Sequence, residues 1–372
     1  MNKVLENAEE ELPMSQLANR NEQQRPFVSV IVATRNEEKH IGKLLDSLVN
    51  QTYPKNCFEV IIVDGMSQDA TLEIVEKYRD RLNIRVFNNP RIRSTFAFNK
   101  GIDEAKGDFF MVVNAHSFLC EDFIEEDINT FLRMRKKEPK LAGVGGILIN
   151  ESENIFGKIV SLLYYSFFSG ARSCRYNRTP HFSDSVIFGV FDKEIVKSNG
   201  KFDEDFIGAG NDDELTIRLH AKGFKFFTNP KIVAHYFARN SFRKFVEQTY
   251  NYGVAKGIIV RKGNYRIELL NSASLWFIPA SFLLYEIFLL FLFVFSGFSF
   301  AWAFVPFVLY WITSILISLN LLIKTKTYLC LALPALYLVF HNVLGVSSLI
   351  GLIFGKKGFF LNSVQKTGAS VD

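Results

Sequence analysis

The stretch from Val28 to Asp69 constrains the fold more than any other part of the chain. It opens with the apolar run Val28-Ser29-Val30-Ile31-Val32-Ala33, which stops at Thr34-Arg35-Asn36-Glu37. A short β-branched run bounded by polar residues marks a strand buried in a parallel sheet. Ile41, Leu44, Leu45, Leu48 and Val49 follow at amphipathic helical spacing. A second run, Val60-Ile61-Ile62-Val63, ends at Asp64-Gly65. Strand, helix and strand form a right-handed βαβ unit. In open α/β sheets, ligands bind just outside the carboxyl ends of the strands. Two strand ends here deliver polar side chains to that edge: Thr34, Arg35, Asn36 and Glu37 from one, Asp64, Ser67 and Asp69 from the other.

No GxGxxG follows the first strand, so the dinucleotide fingerprint is absent. A strand-end carboxylate accepts hydrogen bonds from a base N–H or a ribose hydroxyl. Asp64 is the candidate, with Glu37 nearby. Asp69 reads equally as a cap for the helix that follows it.

VSVIVATRNEE and VIIVDGMSQDAT resemble the opening nucleotide-binding motifs of the family 2 glycosyltransferases, whose domain has the Rossmann-like α/β GT-A fold. The resemblance runs from about Pro26 to Gly263, and its later motifs look most like the succinoglycan-type polysaccharide branch. It implies transfer of a sugar from a nucleotide diphosphate, UDP by expectation, usually with a divalent metal such as Mn2+ or Mg2+. Thr34, Arg35, Asn36, Glu37, Asp64 and Ser67 are then nucleotide-binding candidates. After a third strand at Ile84–Phe87, Arg91 and Arg93 lie on a loop entering a helix, an arrangement that suits a diphosphate. The resemblance adds Asn99 to that set.

The family's metal motif, Asp-x-Asp, corresponds here to Asn114-Ala115-His116. Two carboxylates hold a hard cation through oxygen, whereas imidazole suits borderline metals better. His116 is the metal candidate, and Asn114 is assigned to the nucleotide. Asn211-Asp212-Asp213-Glu214-Leu215 packs acids into a helix start, where the dipole favours them. The string also resembles the family's Glu-Asp-x-(Asp/Glu)-Leu motif, whose aspartate is the catalytic base. Asp212 takes that role, with Asp213 and Glu214 beside it. Such a base removes the proton of an acceptor hydroxyl, and neighbouring like charges raise its pKa. Gln248 and Tyr252 belong to a string that resembles the branch's acceptor-side motif. It lacks the Arg-Trp pair of processive synthases, which implies addition of a single sugar. Arg172, Arg175 and Arg178 either meet phosphates or decorate a surface.

Leu275–Phe298, Phe300–Ile323 and Tyr328–Phe354 are each about a bilayer's worth of apolar helix, with only Glu286 and His341 ionisable. Basic residues before the first span and Lys324 and Lys326 after the second put the transferase domain in the cytosol, at the plasma membrane. Lys356 and Lys357 then lie outside, unless Leu333-Pro334 and His341–Gly345 break the third span into a re-entrant hairpin. Phe242, Phe245, Val246 and Thr249 share a helical face flanked by Arg243 and Lys244, as on a membrane surface. The expected divisions are a disordered, acid-rich tail without a signal peptide (1–25), a GT-A domain (26–238), an interfacial segment (239–270), a transmembrane region (271–356) and a tail (357–372).

A net charge of only +5 gives no support to a nucleic-acid partner. The four cysteines show neither zinc nor disulfide spacing. The expected function is an inverting glycosyltransferase using a nucleotide-diphosphate sugar and a lipid-linked glycan acceptor. A polyprenyl-phosphate sugar synthase and an inactive scaffold, the latter from Asn114 and Asn211, are the alternatives.

Overall fold

The computed structural model describes residues 25–169, 174–175, 178–206, 210–262, 267–296 and 305–355. The expected tails, Arg172, Lys356 and Lys357 lie outside the described residues. Strands β1 (Val28–Thr34), β2 (Phe58–Asp64) and β3 (Ile84–Asn88) pair in parallel, and β4 (Phe109–Asn114) pairs in parallel on the other side of β1. The order β3-β2-β1-β4 reverses direction at β1, which opens a crevice between β1 and β4 at their carboxyl ends. Helix α1 (Ile41–Val49) connects β1 to β2, α2 (Thr71–Glu76) connects β2 to β3, and α3 (Ser94–Glu104) connects β3 to β4.

Alternate side chains of β1 and β2 feed two cores, as the pleat requires. Val28, Val30, Val32, Val60 and Ile62 meet Ile41, Leu44, Leu45 and Leu48 of α1 on one face. Ile31, Ile61 and Val63 meet Ala97, Phe98 and Ile102 of α3 on the other. Each such aliphatic side chain contributes roughly 1.5–3 kcal/mol when fully buried.

Beyond β4 the sheet becomes mixed. Short β5 (Ser117–Leu119) leads to α4 (Phe123–Lys137) and long β6 (Leu141–Glu151). Then come α5 (Ile155–Tyr164), β7 (His181–Ser183), β8 (Val190–Asp192), α6 (Lys193–Ser198), α7 (Asn211–Ala221) and β9 (Lys225–Phe237). The full order is β3-β2-β1-β4-β8-β6-β9-β5, with β7 also on β9. The sequence reading expects two strands at 224–236. One strand runs through instead, because Asn229 ties the intervening turn down: its Nδ2 donates to Thr130 Oγ1 at 2.8 Å and its Oδ1 accepts from Lys231 N at 3.1 Å. The expected strand at 185–191 contracts to β8.

β6 and β9 slip register between Gly145 and Ile147. A Cβ on Gly146 would lie 1.8 Å from the Ile232 carbonyl oxygen, so only glycine lets the strands approach. Gly146→Ala is expected to destabilise the domain by about 2–3 kcal/mol in chemical denaturation.

Three long helices follow α8 (Phe242–Arg261): α9 (Ile267–Ser296), α10 (Val305–Thr325) and α11 (Leu333–Phe354). Among the described residues, two helical segments, Val305–Thr325 and Tyr328–Phe354, are long and apolar enough to cross a membrane by length and composition. Pro279–Phe295 is a shorter apolar stretch, where the sequence reading expects a full span. α11 is unbroken, with Pro334 in its first turn, where proline is tolerated; it does not fold into a hairpin. α8 and α11 run side by side in the same direction. Gly253 abuts Ser347, Gly257 abuts the Ser348 carbonyl, and Arg261 donates to the Leu352 carbonyl. Phe245 and Thr249, expected on a lipid-facing surface, are buried instead; Phe245 packs in a cluster with Leu336, Tyr337 and Phe340 of α11.

Candidate active site

The ends of β1 and β2 are stitched together by side chains. Thr34 and Asp64 are register partners. Asp64 is 2% exposed and accepts from Ser67 N at 2.9 Å and Ser67 Oγ at 2.5 Å. Ser67 Oγ accepts from Asn36 N at 2.9 Å, and Asn36 Oδ1 accepts from Gln68 N at 2.8 Å. Asn36 adopts φ 53°, a left-handed conformation that asparagine tolerates better than most residues. The Arg35 side chain lies over Gly65. Thr34 Oγ1 is buried with no hydrogen-bond partner among the described residues, a polar atom left for something else to satisfy. Asp69 Oδ1 accepts from Thr71 N, and its Oδ2 accepts from Glu38 N at 3.2 Å. Asp69 therefore holds the loop rather than facing the crevice.

Across the switch point, Glu37 Oε1 meets His116 Nδ1 at 2.9 Å. His116 Nε2 meets the Tyr236 hydroxyl at 3.2 Å. β5 explains the second contact: Ser117 pairs with Tyr236 across the antiparallel ladder, so the residue before it is carried to the end of β9. Burial pushes the imidazole pKa down, but Tyr236 and Glu37 outweigh it and the net direction is up. Burial pushes the Tyr236 phenol up, yet His116, Arg239 and Arg175 bring it below its ordinary value.

The donors at Asn114 and His116 do not make a cation site. Asn114 offers an uncharged amide, and both imidazole nitrogens are already engaged. Among the described residues, no group of three His, Cys, Asp or Glu side chains is placed to hold a metal ion.

The far wall of the cleft is the start of α7. Burial, then the Asp213 carboxylate, raises the Asp212 carboxyl to about 7, against the pull of Arg175. Lys256 of α8 faces both aspartates; burial lowers its pKa and the two carboxylates oppose that. Tyr252 belongs to the same cluster, influenced by Arg175, Tyr236, Tyr164 and Asp212, and its hydroxyl accepts from Gln248 Nε2 at 3.3 Å. Hydrogen bonds thus link Asp64, Ser67 and Asn36 on one side and Glu37, His116 and Tyr236 on the other, with Arg175 over the Tyr236 ring.

Other candidates sit elsewhere. Glu214 is 3% exposed and grips Arg218 with both oxygens, at 3.0 and 3.1 Å. Two residues along a helix is about 200° of rotation, so Glu214 points away from Asp212. Glu214→Ala is expected to cost about 1.5–3 kcal/mol of stability by removing two charge-assisted bonds from a half-buried Arg218 that keeps its bonds to the Asn199 and Lys201 carbonyls, measured by thermal unfolding. Asn99 is a clasp: its amide donates to Phe202 O at 2.9 Å and Glu204 Oε1 at 3.0 Å, and its oxygen accepts from Phe202 N. Arg91 pairs with Glu204 at 3.7 Å, and Arg93 reaches the Glu204 carbonyl at 3.5 Å. Asn211 Nδ2 donates to Ser94 Oγ at 3.0 Å, while its Oδ1 is buried without a partner among the described residues. Sequence reasoning missed Tyr236 and Arg239. The available signal was position: Tyr236 ends a strand, and Arg239 follows three residues later.

A 3-2-1-4 parallel half-sheet, a carboxylate at its switch point and a second acidic wall opposite define a nucleotide-sugar transferase of the GT-A type. The chain belongs to glycosyl transferase family 2, whose family model matches residues 29–179. A dolichyl N-acetyl-α-D-glucosaminyl phosphate 3-β-D-2,3-diacetamido-2,3-dideoxy-β-D-glucuronosyltransferase of Methanococcus voltae is 39% identical over 338 residues, 90% of this chain and 99% of that protein. The poly-β-1,6-N-acetyl-D-glucosamine synthase of Staphylococcus epidermidis is 26% identical over 211 residues, 56% of this chain and 49% of that one. In overall fold the chain is similar to a mannosyltransferase from Pyrobaculum calidifontis, solved in complex with GDP-Man and Mn2+. That match has TM-score 0.60, covers 90% of this chain and 88% of the other, and has 17% sequence identity.

Proposed function

We propose that this glycosyltransferase moves one sugar, with inversion, from a nucleotide-diphosphate donor to a hydroxyl of a lipid-linked saccharide. What carries the reading is the place of Asp212 in the acidic first turn of α7, packed on α8, where burial and the Asp213 carboxylate push its carboxyl up to about 7. A carboxylate poised near neutral pH suits a general base. Asp212 takes the acceptor hydroxyl proton, the acceptor oxygen bonds to the anomeric carbon, and the bond from that carbon to the diphosphate oxygen breaks. His116 and Arg239, whose charges act on Tyr236 near the end of β9, are the cations offered to the departing diphosphate. A phosphate acceptor would need no base, so Asp212 favours a hydroxyl. The whole-length similarity to a transferase named for a dolichyl-linked substrate supports a lipid-linked acceptor.

The membrane reading is a hairpin of α9 and α10, whose outer side chains, including Phe291, Phe295, Leu309 and Leu316, are exposed apolar groups. α11 lies along α8 for most of its length, and α8 carries Arg243, Lys244, Lys256 and Arg261. A helix bearing those charges stays out of hydrocarbon, and its partner stays with it. α11 then rests at the membrane surface on the cytosolic side. A C-terminal epitope is expected to be shielded from external protease in intact cells. Digestion of the epitope from outside would make α11 a crossing helix.

The test of the activity is a screen of UDP- and GDP-sugars with membrane fractions and extracted lipid-linked acceptors, with Mn2+, Mg2+ and chelator compared. Product with an acid-labile lipid linkage and a new glycosidic bond is the expected result. Product formed on polyprenyl phosphate alone would overturn the hydroxyl acceptor.

A further inference from the structure

We propose that the Arg175 guanidinium, held between the Tyr164 and Tyr236 rings, seats the phosphate that joins the acceptor's sugar to its lipid. The inference deepens the reading above and rests on it.

Arg175 stands 5.1 Å from the Tyr164 ring centre and 5.7 Å from that of Tyr236, and its Nε donates to Asn150 Oδ1 at 3.3 Å. The aromatic faces and the asparagine fix the plane of the guanidinium, which preorganises it for an oxyanion. The Tyr164 hydroxyl is buried and has no hydrogen-bond partner among the described residues. The Tyr252 hydroxyl accepts from Gln248, which leaves its own proton to give. A guanidinium held against two aromatic rings, next to a buried phenol with a proton to give, suits an oxyanion.

Position favours the acceptor's phosphate over the donor's. Tyr164 meets Phe340 of α11 edge-on at 6.1 Å, and Tyr252 packs on the cluster that includes Tyr337 and Phe340. The site therefore lies at the seam between the sheet domain and the apolar helices, on the Asp212 side of His116. The donor's diphosphate belongs at the strand ends, on the Asp64 side. A lipid chain lying along the apolar helices would bring its phosphate to this seam with the attached sugar beside Asp212.

The experiment uses the full chain in detergent and measures binding of farnesyl phosphate, farnesol, and UDP or GDP, whichever nucleotide the wild type binds. Farnesyl phosphate is expected to bind at least tenfold more tightly than farnesol. Arg175→Gln is expected to weaken farnesyl phosphate by about 10- to 100-fold and leave farnesol and nucleotide within twofold. Tyr164→Phe is expected to weaken farnesyl phosphate by about three- to tenfold, and Arg175→Lys to retain part of the affinity. Undiminished farnesyl phosphate affinity in Arg175→Gln overturns the proposal. So does a loss confined to the nucleotide, which would assign the guanidinium to the donor. If Arg175→Gln fails to fold and loses every ligand, Tyr164→Phe and Arg175→Lys decide, and wild-type affinity in both overturns it. None of these readings depends on transfer, so a failure of the transferase mechanism is scored separately.

Discussion

Asp212→Asn is expected to lower sugar transfer by about 10²- to 10⁴-fold while leaving nucleotide affinity unchanged. The amide keeps the shape of the carboxylate and cannot take a proton. In the wild type, only the ionised carboxylate is a base, and burial has raised it to about 7. Transfer per unit of substrate, kcat/KM, should therefore rise as pH climbs through 7 and level off above it. Lys256 interacts electrostatically with Asp212, and a cation there favours the ionised carboxylate. Lys256→Met should move the rising limb to higher pH, because losing a neighbouring cation raises the carboxyl further. A flat profile between pH 5 and 8, or an Asp212→Asn enzyme near the wild-type rate, would remove Asp212 as the base.

The same residue makes a stability prediction of defined sign. An aspartate whose folded-state pKa lies above its unfolded value binds its proton more tightly when folded. The stability this brings is fully present below about pH 4 and is lost as pH rises towards 7. Asp212→Asn never ionises, so it escapes that loss. Its Tm should exceed the wild type's by a few °C at pH 8, at about 1–2 °C per kcal/mol for a chain of this size, and match it near pH 4. A base that costs stability where it works is the expected signature of a strained functional site.

Gly257→Leu is expected to have the largest structural effect. A Cβ there would lie 2.2 Å from the Ser348 carbonyl oxygen and 2.5 Å from Leu352 N. Gly351 is equally tight against the Val254 carbonyl, at 2.2 Å. Small residues let two helices approach backbone to backbone, and a leucine forces them apart. Phe245 would lose its packing against Leu336 and Phe340. α7 rests on α8 through Ile217, Val254, Ala255 and Ile258, so Asp212, the proposed base, would shift as well. Loss of more than about 4 kcal/mol is expected, with aggregation on extraction and no measurable transfer. Val260→Leu, at a half-exposed position one turn on, is the control and should stay within about 1 kcal/mol. A stable, active Gly257→Leu protein would mean that α11 is not needed beside α8.

β1, β2 and β4 were legible because strands buried on both faces read as unbroken aliphatic runs. The nucleotide edge followed from them, since the polar residues that end those runs lie at the switch point whatever else the chain does. β5, β7 and β8 have three residues each, too few for any period to show. The acids at the start of α7 were legible as a string. Its members were not separable without the helix, whose rotation sends Asp212 into the cleft and Glu214 to Arg218. Asn99 illustrates the same limit, because its clasp partners lie over a hundred residues away in sequence.

Local chemistry along the chain therefore determined the family, the parallel half-sheet, the crevice and the apolar character of the C-terminal helices. These properties rest on short-range patterns of apolar and polar residues, which a linear text records. Tertiary structure alone decided that His116 has both nitrogens engaged, that Tyr236 bridges the two halves of the cleft, and that α8 faces α11 rather than lipid. Each of those outcomes depends on a contact between elements far apart in the chain. Such contacts are set by strand register and by how closely two backbones can approach, and neither is written in local composition.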